Sequence, residues 1–207
     1  MFRKIRIDLH GVRRFMRKNN RLLLLLAVLL AGVVIGCRLF TAYGKNESAF
    51  LGDVLAIRSP EKSIRAAASL LYNACFQSLL LLLILFFCGL SACALPFIPA
   101  VPLFLGLGIG MSEAYYYSTG WKGVLVTVIF MLPPLLFKVT AVLMAASEAM
   151  RMTLLFGKGL LGADTPSTNM REDFRLYVLR FVVFALIALV GGIADVLLRM
   201  FCGALLT

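Results

Sequence analysis

Few residues in this chain could do chemistry, and they are scattered. The soft ligands and nucleophiles are five cysteines (Cys37, Cys75, Cys88, Cys93 and Cys202) and one histidine, His10. No pair of cysteines has CxxC spacing, and every one lies in or beside an apolar run. They read as small buried hydrophobes rather than a metal or redox set. Lys138, in "MLPPLLFKVT" (Met131–Thr140), is the most unusual ionisable residue. A catalytic lysine needs a nucleophile beside it. Ser147 is nine residues on, about 13 Å along a helix axis, and Thr140 falls on a different face. The three glycines of "FLGLGIG" (Phe104–Gly110) look like part of a phosphate-binding loop, but no strand precedes them and no lysine follows. Gly106 and Gly110 instead form GxxxG on one helix face, which lets a second helix approach closely in lipid. These residues predict no enzyme, no cofactor and no metal site.

The elements that must position these residues are set by composition. Of the 207 residues, 61% are hydrophobic and only 15% charged, with a mean hydropathy of +0.95. Soluble domains are nearer half apolar and a quarter charged, so the expected solvent is a lipid bilayer. The net charge of +11 is concentrated in residues 1–21, which carry eight Lys/Arg against Asp8 and abut the apolar run that starts at Leu22. No aromatic platform is interleaved with the bases, which argues against nucleic acid. Positive charge beside a span fixes topology and touches anionic lipid, which puts the N-terminus in the cytoplasm. "VIGC" (Val34–Cys37) matches the acylation box of bacterial lipoproteins. The basic region is long for a signal peptide and further apolar runs follow, so an uncleaved first helix is expected.

The apolar pattern predicts an all-α, polytopic membrane protein. Beyond the basic segment, residues 22–207 form a single helical domain with about five spans, near 22–43, 69–94, 100–117, 123–147 and 177–203. Ala66 to Ser112 contains no charged residue, too long a run for one helix and right for two. Pro96, Pro99 and Pro102 must break it. Thr41–Ala68 is a polar connection expected outside the cell, and Met150–Arg175 a polar loop expected inside it. Tyr115, Tyr116, Tyr117 and Trp121 suit an interfacial aromatic belt.

Ionisable groups at membrane depth cost on the order of 2.5–3.5 kcal/mol each, so each needs a partner or an aqueous cavity. Asp195 and Arg199 are four residues apart on the last span and share a face. With Arg38 and Glu113, which come to similar depth, they could form an outer polar cluster. Pro133 and Pro134 should kink the fourth span and free carbonyls around Ile129 and Phe130. Lys138 below them could snorkel along its stem, donate to a neighbour's carbonyl, or line a cavity. Asn73 and Gln77, one turn apart in the second span, are its polar positions.

The chain resembles the stage II sporulation protein M family of endospore-forming bacteria. Size, basic N-terminus and five-span layout fit. "CGLSACALPFIPAVPLFLGLGIG" looks like the glycine-bearing central pair of that family. The family's "ILPHGI.E"-like segment is similar to "MLPPLLFKVTAVLMAASEAMR" here. Leu132 and Pro133 match it, Pro134 stands for the histidine, Leu135 for the glycine, and Lys138 falls where an acid is often found. The resemblance implies a non-enzymatic, multi-pass protein of the cell membrane. It implies a scaffold in forespore engulfment that recruits the peptidoglycan-degrading stage II sporulation proteins P and D. The alternative from the residues themselves is a permease-like subunit of a transport system. Kinked helices and buried charge favour that alternative, and the lack of an evident inverted repeat weighs against it.

Overall fold

The computed structural model of the chain describes residues 20–43, 64–118, 120–160 and 170–205. Most of the basic N-terminal segment and most of Thr41–Ala68 lie outside the described residues. Among those described, the fold is all helical. Its helices are α1 (Asn20–Tyr43), α2 (Ile64–Leu90), α3 (Ala100–Ser118), α4 (Trp121–Val126), α5 (Leu132–Leu160) and α6 (Met170–Leu205). Three stretches are long and apolar enough to cross a membrane: Asn20–Ala42, Leu132–Gly157 and Arg171–Leu198. Within α2 a shorter apolar stretch runs from Cys75 to Leu90.

The breaks follow from backbone chemistry. Between α2 and α3 the chain passes through a 3-10 turn at Ala92–Ala94. The N–H groups of Ser91, Ala94, Phe97 and Ala100 donate in turn to the carbonyls of Cys88, Ser91, Ala94 and Phe97. Pro96 and Pro99 fall between these donors, so the turn loses no hydrogen bond to its prolines. Pro102 then sits in the first turn of α3, where a missing N–H is harmless. At the joint between α3 and α4, Gly120 has φ 93°, a conformation that residues with a Cβ rarely adopt.

The double proline produces a π-helical turn rather than a simple kink. Thr127–Met131 is π-helical and leads directly into α5. Pro133 and Pro134 are therefore the second and third residues of a new α-helix, in its tolerant first turn. At its other end, α5 continues to Leu160, well past the expected end near Ser147, and α6 begins at Met170. Nothing in residues 147–156 breaks a helix, and Glu148 and Arg151 have partners on α6. Thus much of the expected Met150–Arg175 loop is helix.

The helices pack as a pair joined to a trio. α1 and α3 run parallel, because Gly32 meets Leu103 and Gly36 meets Leu107. In the trio, α6 runs antiparallel to α2, with Gly192 on Cys75 and Gly89 on Tyr177, and antiparallel to α5, with Gly191 on Phe137 and Glu148 on Arg180. One buried cluster joins them, running from Leu25 and Leu29 of α1 through Ile98 to Ala141, Ala145 and Ala149 of α5 and Phe181 of α6. The buried positions favour Gly and Ala, whereas Leu30, Val34, Leu83, Phe87, Phe104, Leu186 and Val190 are all more than half exposed. Large apolar side chains on the outer surface, with glycine and alanine contacts among the buried residues, suit hydrocarbon solvent, since lipid supplies no hydrophobic drive between helices and close packing must hold them.

Candidate functional site

The closest helix contact is a reciprocal glycine seam. A Cβ added at Gly106 would overlap the Leu29 carbonyl oxygen, and one at Gly110 the Val33 carbonyl oxygen. From the other side, a Cβ at Gly32 or Gly36 would overlap the carbonyl oxygens of Leu103 or Leu107. Each helix thus presses a GxxxG face on the other's backbone. Cys37 continues the seam, its thiol donating to the Gly110 carbonyl at 3.3 Å. Farther along, the Phe40 and Tyr115 rings meet edge to face with centroids 6.2 Å apart. The "VIGC" segment is therefore helical backbone embedded in the α1–α3 contact.

The second constellation closes the end of the trio where α2 and α5 finish and α6 begins. A helix leaves its last four carbonyls without intrahelical partners. Here other helices supply donors. The Thr153 hydroxyl of α5 donates to the carbonyls of Cys88 and Gly89 at 3.2 and 3.4 Å. The Tyr177 hydroxyl of α6 donates to the carbonyl of Phe86, the residue just before these four, at 3.0 Å. The Tyr177 ring lies over Phe86, centroids 5.3 Å apart, and against Phe181 at 4.7 Å. Gly89 makes room, because a Cβ there would strike Tyr177 and come within 3.1 Å of the Ala149 Cα. Above this layer, Arg180 donates to Glu148 at 2.5 Å. Arg151 lies 3.7 Å from both Glu148 and Asp173. This chain of alternating charge ties α5 to α6 while the hydroxyls tie both to α2. Its chemistry is structural: each polar group spends its hydrogen-bonding capacity on another helix.

The other sequence-designated residues are spread over the bundle. Pro134 is buried, and its carbonyl oxygen is 3.4 Å from where a Gly191 Cβ would stand. Pro133 is exposed beside it. Lys138, half-buried, has its backbone nitrogen 3.6 Å from that same point. Asp195 is 8% exposed, one turn farther along α6. Arg38 on α1 is exposed and Glu113 on α3 is half-buried, and no ion pair joins them among the described residues. The Arg199 and Asn73 side chains lie outside the described residues. Trp121 is 75% exposed, as an interfacial anchor would be. Among the described residues no group of three or more His, Cys, Asp or Glu could hold a metal ion.

A family profile described as stage II sporulation protein M matches residues 22–198. The chain belongs to the stage II sporulation protein M family. The match runs from the start of the α1 leucines to near the end of α6, so the glycine seam and the Glu148 end are both within it. Membership makes this a sporulation-related membrane protein. Neither curated proteins nor solved structures give a match. One half of the glycine seam, Gly106 and Gly110, is visible in the sequence as GxxxG. The other half, Gly32 and Gly36 in "GVVIG", carries the same spacing and could have been read as its partner. Tyr177 and Thr153 gave no local signal, because their acceptors are 91 and 65 residues away in sequence.

Proposed function

We propose that this protein is a non-enzymatic scaffold of the cell membrane that gathers peptidoglycan-degrading proteins during forespore engulfment. The family match over residues 22–198 carries the reading. Stage II sporulation proteins P and D are the partners the family resemblance implies. The helix directions support a five-span topology. α1 and α3 are parallel, and α6 opposes α2 and α5. Such alternation fits successive crossings, with the N-terminus inside by the charge of residues 1–21 and Thr41–Ala68 outside, where wall-cutting partners work. The glycine seam and the Glu148 end then hold the bundle as a stiff platform for that segment.

The test is the engulfment phenotype of a strain lacking this protein, followed by membrane-dye imaging in sporulating cells. The expected result is septa that form but do not migrate around the forespore. Restoration by the full chain but not by a chain lacking Lys45–Lys62 would place partner contact in that segment. Normal engulfment in the null strain, with altered uptake of a solute, would overturn the scaffold in favour of the permease reading.

A further inference from the structure

One face of α6 is exposed along most of its length and ends in two arginines. Arg175, Leu179, Val182, Leu186 and Val190 are all exposed, and at 3.6 residues per turn they fall within about 80° of the helix circumference. Arg171, also exposed, stands one turn before Arg175 on the same side. The ion pairs printed across this end of the bundle engage Arg151 and Arg180 with Glu148 and Asp173, and leave both arginines of the stripe to the surface. Exposed Glu172 lies on the flank, about 60° round from Arg175. The depth is set by Tyr177, which donates to the Phe86 carbonyl near the end of α2. Arg175 lies about 3 Å and Arg171 about 9 Å beyond that level, and the apolar span of α6 begins at Arg171. The arginines therefore stand at the edge of the span, where α2 has ended and its neighbours leave them open from the side.

We infer that this face of α6 binds an anionic phospholipid, with the headgroup phosphate between Arg171 and Arg175 and an acyl chain along Leu179, Val182 and Leu186. Guanidinium groups pair with phosphate through two parallel hydrogen bonds, which supplies the head of the site. The stripe supplies the rest. From Arg175 to Leu186 is about 16 Å along the axis, close to half of a hydrocarbon core of roughly 30 Å and so the depth of one leaflet. A soluble phosphate would use the arginines and leave that apolar continuation without purpose, whereas a phospholipid fits both. The headgroup is anionic because two arginines against one glutamate leave one net positive charge. One such charge near an anionic lipid is worth about fivefold in binding. The inference rests on α6 crossing the bilayer, as proposed above, but not on recruitment of wall-degrading partners.

The experiment uses the full chain in vesicles, with Trp121→Phe removing the single tryptophan and Leu179→Trp placing a probe on the stripe. Leu179 is 60% exposed, so the larger ring displaces no packed neighbour. Quenching by brominated phosphatidylglycerol and by brominated phosphatidylcholine gives their relative binding constant at the probe. It should favour phosphatidylglycerol about fivefold. Arg171→Gln/Arg175→Gln should abolish the preference. Glu172→Gln should raise it about fivefold further, a gain that misfolding cannot produce. A probe at exposed Phe87 of α2 should show a ratio near one, and millimolar inorganic phosphate should leave quenching at position 179 unchanged. A ratio near one at position 179, or no response to either glutamine variant, would overturn the inference. An equal preference at position 87 would reduce it to general attraction by the protein's charge, and displacement by inorganic phosphate would make the site one for soluble anions; either result refutes it. The vesicles contain no other protein, so a failure of recruitment would leave every one of these outcomes as it is.

Discussion

Gly106 and Gly108 lie two residues apart on α3 and should respond oppositely to the same substitution. A Cβ at Gly106 meets the Leu29 carbonyl oxygen, with the Leu29 carbonyl carbon and the Val33 nitrogen each at 3.1 Å. All three are backbone atoms of α1, so no side chain can swing aside and the two helices must separate. Forced overpacking of this kind costs about 1–3 kcal/mol. Replacing a helical glycine by alanine returns about 0.5–1 kcal/mol through backbone entropy. At Gly106 the steric cost wins, with a net loss of about 1–2 kcal/mol. At Gly108 nothing lies within 4 Å of the added Cβ, so only the entropic gain of about 0.5–1 kcal/mol remains. Equilibrium unfolding in mixed micelles, read by tryptophan fluorescence or steric trapping, measures both variants. Gly110→Ala and Gly32→Ala should follow Gly106→Ala. The double variant Gly106→Ala/Gly110→Ala should cost less than the sum, since the helices need separate only once. Shifts of the same sign and size at Gly106 and Gly108 would refute the seam.

Arg180→Met removes the nearer of Glu148's two cationic partners, leaving Arg151 at 3.7 Å, and should lower stability by about 1–2 kcal/mol, between the values for exposed and buried pairs. Adding Glu148→Gln should recover most of that loss in the same unfolding assay. Tyr177→Phe removes the bond to the Phe86 carbonyl while keeping the ring, and should cost about 0.6–1.5 kcal/mol. Gly157→Ala, with open space around it, should be neutral or stabilising. Lys138→Met should leave membrane insertion intact, measured by protease protection, and leave engulfment at the wild-type rate if the lysine has no role beyond its local contacts.

The helices were legible because length and composition decide them in a membrane protein. An uncharged run from Ala66 to Ser112 with prolines at three-residue spacing admits little except two helices and a turn. Gly106 and Gly110 were legible as a packing face, since GxxxG declares itself within one turn. What it packs on was not, because spacing alone does not say which helix faces it. The double proline announced a break, but whether a kink or a π-helical turn absorbs it depends on how α5 seats against Gly191. The Glu148 end was the least legible. Glu148 and Arg180 are 32 residues apart, and Thr153 and Tyr177 act on carbonyls that every residue carries, so no side-chain pattern points to them. The polar cluster expected from Arg38, Glu113, Asp195 and Arg199 paired residues by depth alone. Depth is only one of the three coordinates: Arg38 and Glu113 lie on the α1–α3 pair and Asp195 on α6, and the Arg199 side chain lies outside the described residues.

The central claim is recruitment, and co-purification tests it most directly. The full chain, affinity-tagged and extracted in mild detergent from cells fixed at the onset of engulfment, should bring down peptidoglycan-degrading proteins identified by mass spectrometry. The chain lacking Lys45–Lys62 should insert normally and lose them. Equal recovery with both chains would move the contact away from that segment, and no wall-degrading protein with either would contradict the account.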